Sequence, residues 1–424
     1  MIRNPRAHHA ERIPHTDEPD ARMEFDPFWP ECLKNPYPFF KWMRENEPVY
    51  TARRLGIPII TRYEDVERAL HDYGLYSSAG VTDLMQGPYN PAPENFIGSD
   101  PPYHSVIRRV VSKSLTPRTI ASMRHGLEEI VSRVIQSALE KGRSFDIARD
   151  VCLMIPLMAT MNLLGIDLSY YDRLSIWVNA MLEGINVAVS GEQVTPERDT
   201  ELRRDLNDFR GFLVEMLDLR RRKPRDDLTS ALVRGAGESG NALSLAEQVS
   251  TLFTVVGGGF ESTSKFLGTI LLTLLEHPDQ LALVRNDPNL ITSAVREGLR
   301  YDGPAVFMIR RLTRDDEVAG VHLPGGSLCL VSFASANHDE RKFPTNAEAF
   351  DINRRQTSGI SHLAFGSGVH RCVGANLASL QAEVFLEEIL RRFAEIEWEP
   401  DKVERGNSFF VRGVTKFPVT VRAA

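Results

Sequence analysis

Between Phe365 and Gly374 the chain reads Phe-Gly-Ser-Gly-Val-His-Arg-Cys-Val-Gly, and an apolar, helix-like run from Leu377 to Phe393 follows. This stretch constrains the fold more than any other. It sets one cysteine in a glycine-bearing loop at the start of a helix, where unpaired N–H groups and the positive end of the dipole stabilise a thiolate. Gly366, Gly368 and Gly374 let the backbone pass close to something flat and bulky. Cys32, Cys152 and Cys329 have no comparable surroundings and read as small buried hydrophobes. A zinc site from His362, His370 and Cys372 would lack paired Cys-x-x-Cys or His spacing.

A thiolate beside a flat, bulky group is what a cysteine-ligated haem iron needs. The stretch resembles the haem-binding loop of the cytochrome P-450 family, whose pattern is Phe, two residues, Gly, one residue, His or Arg, one residue, Cys, one residue, Gly. Phe365, Gly368, His370, Cys372 and Gly374 fill every fixed position. The resemblance extends from about Phe25 to Val421. It implies a mainly α fold with small β-sheets, with haem between a long central helix and the cysteine-bearing loop and helix. It also implies haem b, ligated by Cys372 and framed by Phe365, Gly366 and Gly374.

The chain has 424 residues, 42% of them hydrophobic, enough for a large core. Residues 1–24 are polar and read as a flexible leader; residues 25–424 read as one catalytic domain. The leader has no apolar signal-peptide core. The longest apolar run, Phe266 to Leu275, is far too short to span a membrane. Four cysteines without patterned spacing suggest no disulfide framework. A cytoplasmic protein off the membrane is expected, acting as a monomer. The net charge of −7 argues against nucleic acid as a partner.

Helix-like runs are expected over Phe39–Glu45 and Tyr63–Asp72, around a β-hairpin formed by Val49–Arg53 and Ile57–Arg62. Residues 77–100 carry many Gly, Pro and Asn and read as a long, functional loop. Helical periodicity then dominates from Tyr103 to about Asn286. A long helix starts at Ser244, with Gln248 further on, and ends near Glu276 at His277-Pro278. Short β-type pieces follow Gly303-Pro304, such as Ser327–Ala334. The last helix is expected to start at Cys372, and a β end, Val411–Val421, closes the chain.

Inside the long helix lies Gly257-Gly258-Gly259-Phe260-Glu261-Ser262-Thr263. Each glycine costs roughly 1 kcal/mol relative to Ala; the three allow close helix packing or leave room above a cofactor. The resemblance matches Gly258, Gly259, Glu261 and Thr263 to the family's Ala/Gly-Gly-x-Asp/Glu-Thr-Thr, with Ser262 replacing the first Thr. It implies that Glu261 and Ser262 deliver protons to iron-bound dioxygen, the serine with a less restricted χ1 than threonine. His104 and Arg108 stand at i, i+4, on one helix face. The family's His-x-x-x-Arg implies that both donate to a haem propionate, joined by Arg310 and His370. Glu297 and Arg300 match its Glu-x-x-Arg, a buried network that holds the haem core, with Arg354 as the downstream partner. His338 stands where Arg is more usual.

The implied reaction is hydroxylation, epoxidation or demethylation of a hydrophobic small molecule by O2. Electrons would come from a ferredoxin and its NAD(P)H-dependent reductase, docking on Arg108, Arg109, Lys113 and Arg371. By family position the substrate would touch Val255, Val256, Gly259, Val306, Phe307 and Phe409, together with the 77–100 and 170–195 regions. Oxidative ring coupling is an alternative reaction. A non-enzymatic haem sensor or carrier is the rival from another class, although it would need neither the acid–alcohol pair nor a roomy pocket.

Overall fold

The computed structural model describes residues 23–82, 87–89, 96–190, 193–238, 243–354, 361–406, 408 and 410–423. The architecture is mainly α with small sheets. Its axis is the central helix, Leu245–Glu276. Ser244 caps it through a capping box with Glu247: Ser244 Oγ accepts from Glu247 N, and the Glu247 carboxylate accepts from Ser244 N. The reciprocal partner is therefore Glu247, three residues after the cap, and not Gln248. From Phe266 to Leu274 this helix is buried on all sides, and Leu267, Ile270, Leu271 and Leu274 are fully buried. Such a helix must be surrounded by protein. It packs against Met154–Leu164, Pro196–Arg222, Ile291–Asp302 and Ala375–Arg392. Each fully buried Leu or Ile there contributes about 1.5–3 kcal/mol.

The β-pieces join across the chain. Val49–Thr51 and Pro58–Ile60 form the expected hairpin, with Val49 opposite Ile60. The second strand then pairs in parallel with Leu328–Ser332, Ile59 opposite Leu330. Phe307–Leu312 and Tyr76–Ser77 complete a five-stranded sheet. In a second sheet, Pro418–Ala423 lies between Ser144–Asp146 and Phe393–Trp398. The sheets are thus not confined to the two ends of the chain. No helix among the described residues is long and apolar enough to cross a membrane.

One buried charge cluster ties the termini to the helical layer. Asp302 accepts from Arg412 Nε and Arg405 Nη1, each at 2.9 Å, and from the Tyr37 hydroxyl at 2.7 Å. Arg412 also donates to the carbonyls of Leu33 and Lys34. Burial pushes the Asp302 carboxyl up, but the two arginines and Tyr37 more than offset this and hold it well below the usual range. Breaking such a pair from one side costs about 3–5 kcal/mol. An unfolded Asp titrates near about 3.9, so this stabilisation is present at neutral pH and fades as the pH falls through that value. Asp302→Asn is therefore expected to lower the urea midpoint strongly at pH 7, with the deficit narrowing towards pH 3. An equal deficit at both pH values would exclude the charge as its source.

Candidate active site

The cysteine loop is fixed by its own backbone. Cys372 N donates to Phe365 O and Gly366 N to Leu363 O, both at 2.8 Å. Gly368 has φ +65°, and a Cβ there would collide with the Leu70 carbonyl. The loop consequently lies directly against the end of the Tyr63–His71 helix, where His71 Nε2 meets Ser367 Oγ at 2.7 Å. The following helix begins at Ala375, not at Cys372. The two intervening residues, Val373 and Gly374, let the N–H groups of Gly374 and Ala375 reach back to the sulfur.

Cys372 is exposed, whereas Cys32, Cys152 and Cys329 are buried. Its sulfur is nevertheless crowded by protein, and this desolvation raises the thiol. The Gly374 N–H, Arg108, Arg371 and the Ala375 N–H lower it, but less. Loop and dipole alone therefore do not make the thiolate. A metal cation held by Cys372 would make it, by deprotonating the thiol. Burial pushes Cys32 and Cys329 up to about 12, which leaves them inert.

Beside the loop lies a group of donors short of acceptors. His104, on the Tyr103–Ser114 helix, sets its ring 4.2 Å from that of His370, tilted by 51°. Neither ring nitrogen of His104 has a hydrogen-bond partner, nor does His370 Nε2. Asp100 Oδ1 is 3.8 Å from His370 Nε2, too far for a hydrogen bond. Asp100 is instead engaged by Ser77 Oγ and Ser78 N. Arg310 is buried, and its guanidinium donates to the carbonyl of Ile309 without an ion-pair partner among the described residues. Burial lowers Arg310 to about 10, His104 to about 4 and His370 to about 3. Arg310, His104 and Arg108 add to the depression at His370, so the four expected donors are gathered in one place. Burying such groups without acceptors is costly. The site fits a flat ligand that carries carboxylates, as haem does.

The three glycines of the central helix divide the two expected roles. A Cβ at Gly257 would lie 2.7 Å from Met181 Cε, and one at Gly259 would lie 3.3 Å from Thr160 Oγ1. Those two admit neighbouring helices. At Gly258 a Cβ would meet nothing within 4 Å. Gly258 shares a helix face with the partly exposed Val255 and Ser262. Val256 is fully buried and turns away from that face, whereas Gly259, four residues after Val255, lies at its edge against Thr160. Ser262 Oγ donates to Gly258 O at 3.0 Å. Glu261 Oε1 accepts from Lys265 Nζ at 2.5 Å. Lys265 was not singled out from the sequence. Its i, i+4 spacing after a glutamate was the available signal, but a common one.

Of the remaining expected contacts, Val306 donates its N–H to Phe410 O at 2.9 Å. The Phe307 ring packs 5.6 Å from Phe40 and 6.4 Å from Phe25, inside the N-terminal aromatic cluster. Phe409 lies outside the described residues. Glu297 and Arg300 pair through two hydrogen bonds of 2.9 and 2.7 Å, and Arg354 Nε joins Glu297 at 3.0 Å. His338, in the place usual for Arg, contacts Glu348 at 2.9 Å and Tyr301 O at 2.7 Å.

The sequence model of the Cytochrome P-450 family matches residues 31–416. The chain is 31% identical over 420 residues to the polyketide biosynthesis cytochrome P-450 PksS of Bacillus subtilis (strain 168), covering 94% of this chain and 99% of that protein. It is 32% identical over 400 residues to the 6-deoxyerythronolide B hydroxylase of Saccharopolyspora erythraea, covering 90% and 95% of the two chains. The solved structure of the Bacillus subtilis 168 bacillaene polyketide synthase cytochrome P-450 PksS matches with a TM-score of 0.83 at 30% identity, over 94% of this chain and 99% of that one. With the cysteine loop and donor cluster in place, and with a match that runs almost end to end, the chain belongs to the cytochrome P-450 family of haem-thiolate monooxygenases.

Proposed function

We propose that this protein binds haem b through Cys372 and oxidises a bulky hydrophobic molecule of polyketide type. The observation that carries the reading is the polar cluster beside the one exposed cysteine: the buried ring nitrogens of His104 and His370 Nε2 have no hydrogen-bond partner, and buried Arg310 has no ion-pair partner among the described residues, with the half-buried Arg108 next to them. These four side chains would hold the propionates, and Phe365, Gly366 and Gly374 would frame the ring near the sulfur. When bound, haem supplies the oxidising chemistry, its thiolate ligand favouring O–O cleavage. Glu261 and Ser262 hold and pass the protons this chemistry consumes. Val255, Gly258, Ala305 and Met308, none of them fully buried, offer an apolar wall for substrate, whereas Val306 and Phe307 pack into the N-terminal aromatic cluster. The names of PksS and of 6-deoxyerythronolide B hydroxylase support the polyketide class. Arg109, Lys113 and Arg371 are exposed and, with Arg108, form a basic face suited to an acidic ferredoxin.

Cys372→Ala is expected to abolish the red-shifted Soret band of the reduced carbonyl complex, while Cys32→Ala, Cys152→Ala and Cys329→Ala keep it. A normal band in Cys372→Ala would reject the ligand. The donor cluster makes a second prediction with opposite signs in two assays. Arg310→Met removes a buried charge that has no ion-pair partner. It should stabilise the apo-protein by about 1–4 kcal/mol, read from urea unfolding, and should lower haem occupancy after reconstitution. Unchanged apo stability together with full occupancy would refute the propionate role. An optical difference titration with macrolactones, steroids and fatty acids tests the substrate class. Spectral shifts confined to fatty acids would overturn the polyketide assignment.

A further inference from the structure

Lys265 is nine-tenths buried, one helical turn beyond Glu261, and its ammonium has two partners on different parts of the chain. It donates to Glu261 Oε1 at 2.5 Å and to Val411 O at 2.9 Å. The segment that offers this carbonyl is bound to the start of the strand beside the proposed substrate wall. Ala305 and Val411 form a β-bridge, Val306 N donates to Phe410 O at 2.9 Å, and Arg412 N donates to Pro304 O at 2.7 Å. Two glycines shape the slot for the lysine. A Cβ at Gly413, where φ is +148°, would lie 2.5 Å from Lys265 Cβ, and one at Gly406 would lie 3.2 Å from Lys265 Cε and Nζ. A buried ammonium held between a carboxylate and a carbonyl fixes both in position. The neighbouring Ser262 hydroxyl donates to Gly258 O, so the carboxylate's direction is set by Lys265.

We propose that Lys265 is a positioning residue that sets the reach of the Glu261 carboxylate and couples it to the 410–413 segment. Displacement of that segment by a substrate lying against Ala305 would move the Val411 carbonyl, and with it the shared ammonium and the acid. The inference rests on the proton-handling role proposed for Glu261.

The test is a double-mutant cycle in the reconstituted holoenzyme, read as NAD(P)H oxidation with a surrogate ferredoxin and ferredoxin reductase. Glu261→Gln is expected to slow oxidation several-fold. Lys265→Met should slow it by a similar factor when Glu261 is present and change it less than twofold in the Glu261→Gln background. Lys265→Arg, which keeps the charge, should recover part of the rate. Gly406→Ala, which crowds the far end of the lysine and the Thr415 methyl, should produce a smaller effect that also disappears in Glu261→Gln. In the apo-protein, the urea-midpoint shifts of Lys265→Met and Glu261→Gln should combine to less than their sum, confirming the pair without haem. Equal slowing by Lys265→Met in both backgrounds would overturn the positioning role and leave the acid's role intact. No effect of Glu261→Gln would overturn the acid's role itself.

Discussion

All five N–H donors of Arg300 are used. They reach both oxygens of Glu297 and the carbonyls of Asn337, Ala347 and Ala349, at 2.7 to 2.9 Å. A planar guanidinium with every donor satisfied is a rigid five-point clamp. Arg354 shares Glu297 and Ala349, and adds the carbonyls of Thr345 and Asn346. The clamp reaches Cys372 through few links. Asn337 offers its main-chain carbonyl to Arg300 and its side-chain Oδ1 to Leu363 N at 2.6 Å. Leu363 O holds Gly366, and Phe365 O holds Cys372. Loss of the charged pair at the far end would loosen the sulfur, although neither residue approaches it.

The structure handles its buried charges in two opposite ways. Glu297, Arg300, Asp302 and Arg412 are all compensated within the chain. They bind distant segments together and do no chemistry. Around Cys372 the rule is broken: His104, His370 and Arg310 are buried and their donors are short of acceptors. A chain keeps such a costly arrangement where a ligand will complete it. The contrast separates the structural arginines from those that wait for an anion. Composition cannot make that distinction, because the residue types are the same.

Lys265 belongs to neither group. It neutralises an acid on the central helix, yet reaches a carbonyl some 146 residues later in the chain. The sequence shows Glu261 and Lys265 four residues apart, a spacing common on helix surfaces. What removes this pair from the surface is Gly406 and the 410–413 segment lying over it, with glycine at the two points where a side chain would strike the lysine. The apparent surface ion pair thereby becomes a buried one, screened far less by solvent.

Motifs that act through their own backbone were legible in the sequence. The cysteine loop needs its glycines and its cysteine at fixed spacing, because the loop closes on itself within ten residues. The central helix likewise shows its cap, its apolar length and its proline stop. The 3.6-residue period gave most helices, and it put His104 with Arg108 on one face. Contacts between distant segments were not legible. Nothing local pairs Ile59 with Leu330, brings Arg412 to Asp302, or turns the Phe307 ring towards Phe40 and away from the substrate wall. These depend on which faces meet when the layers pack, and a side chain's neighbours across a layer interface leave no periodic trace in the chain. The sequence by itself determined the cysteine loop, the helical framework and the group formed by His104, Arg108, Arg310 and His370. Tertiary structure decided which buried charges are satisfied, which way each glycine of the central helix opens, and what holds the acid in place, because each of these is fixed by packing partners far away in the chain.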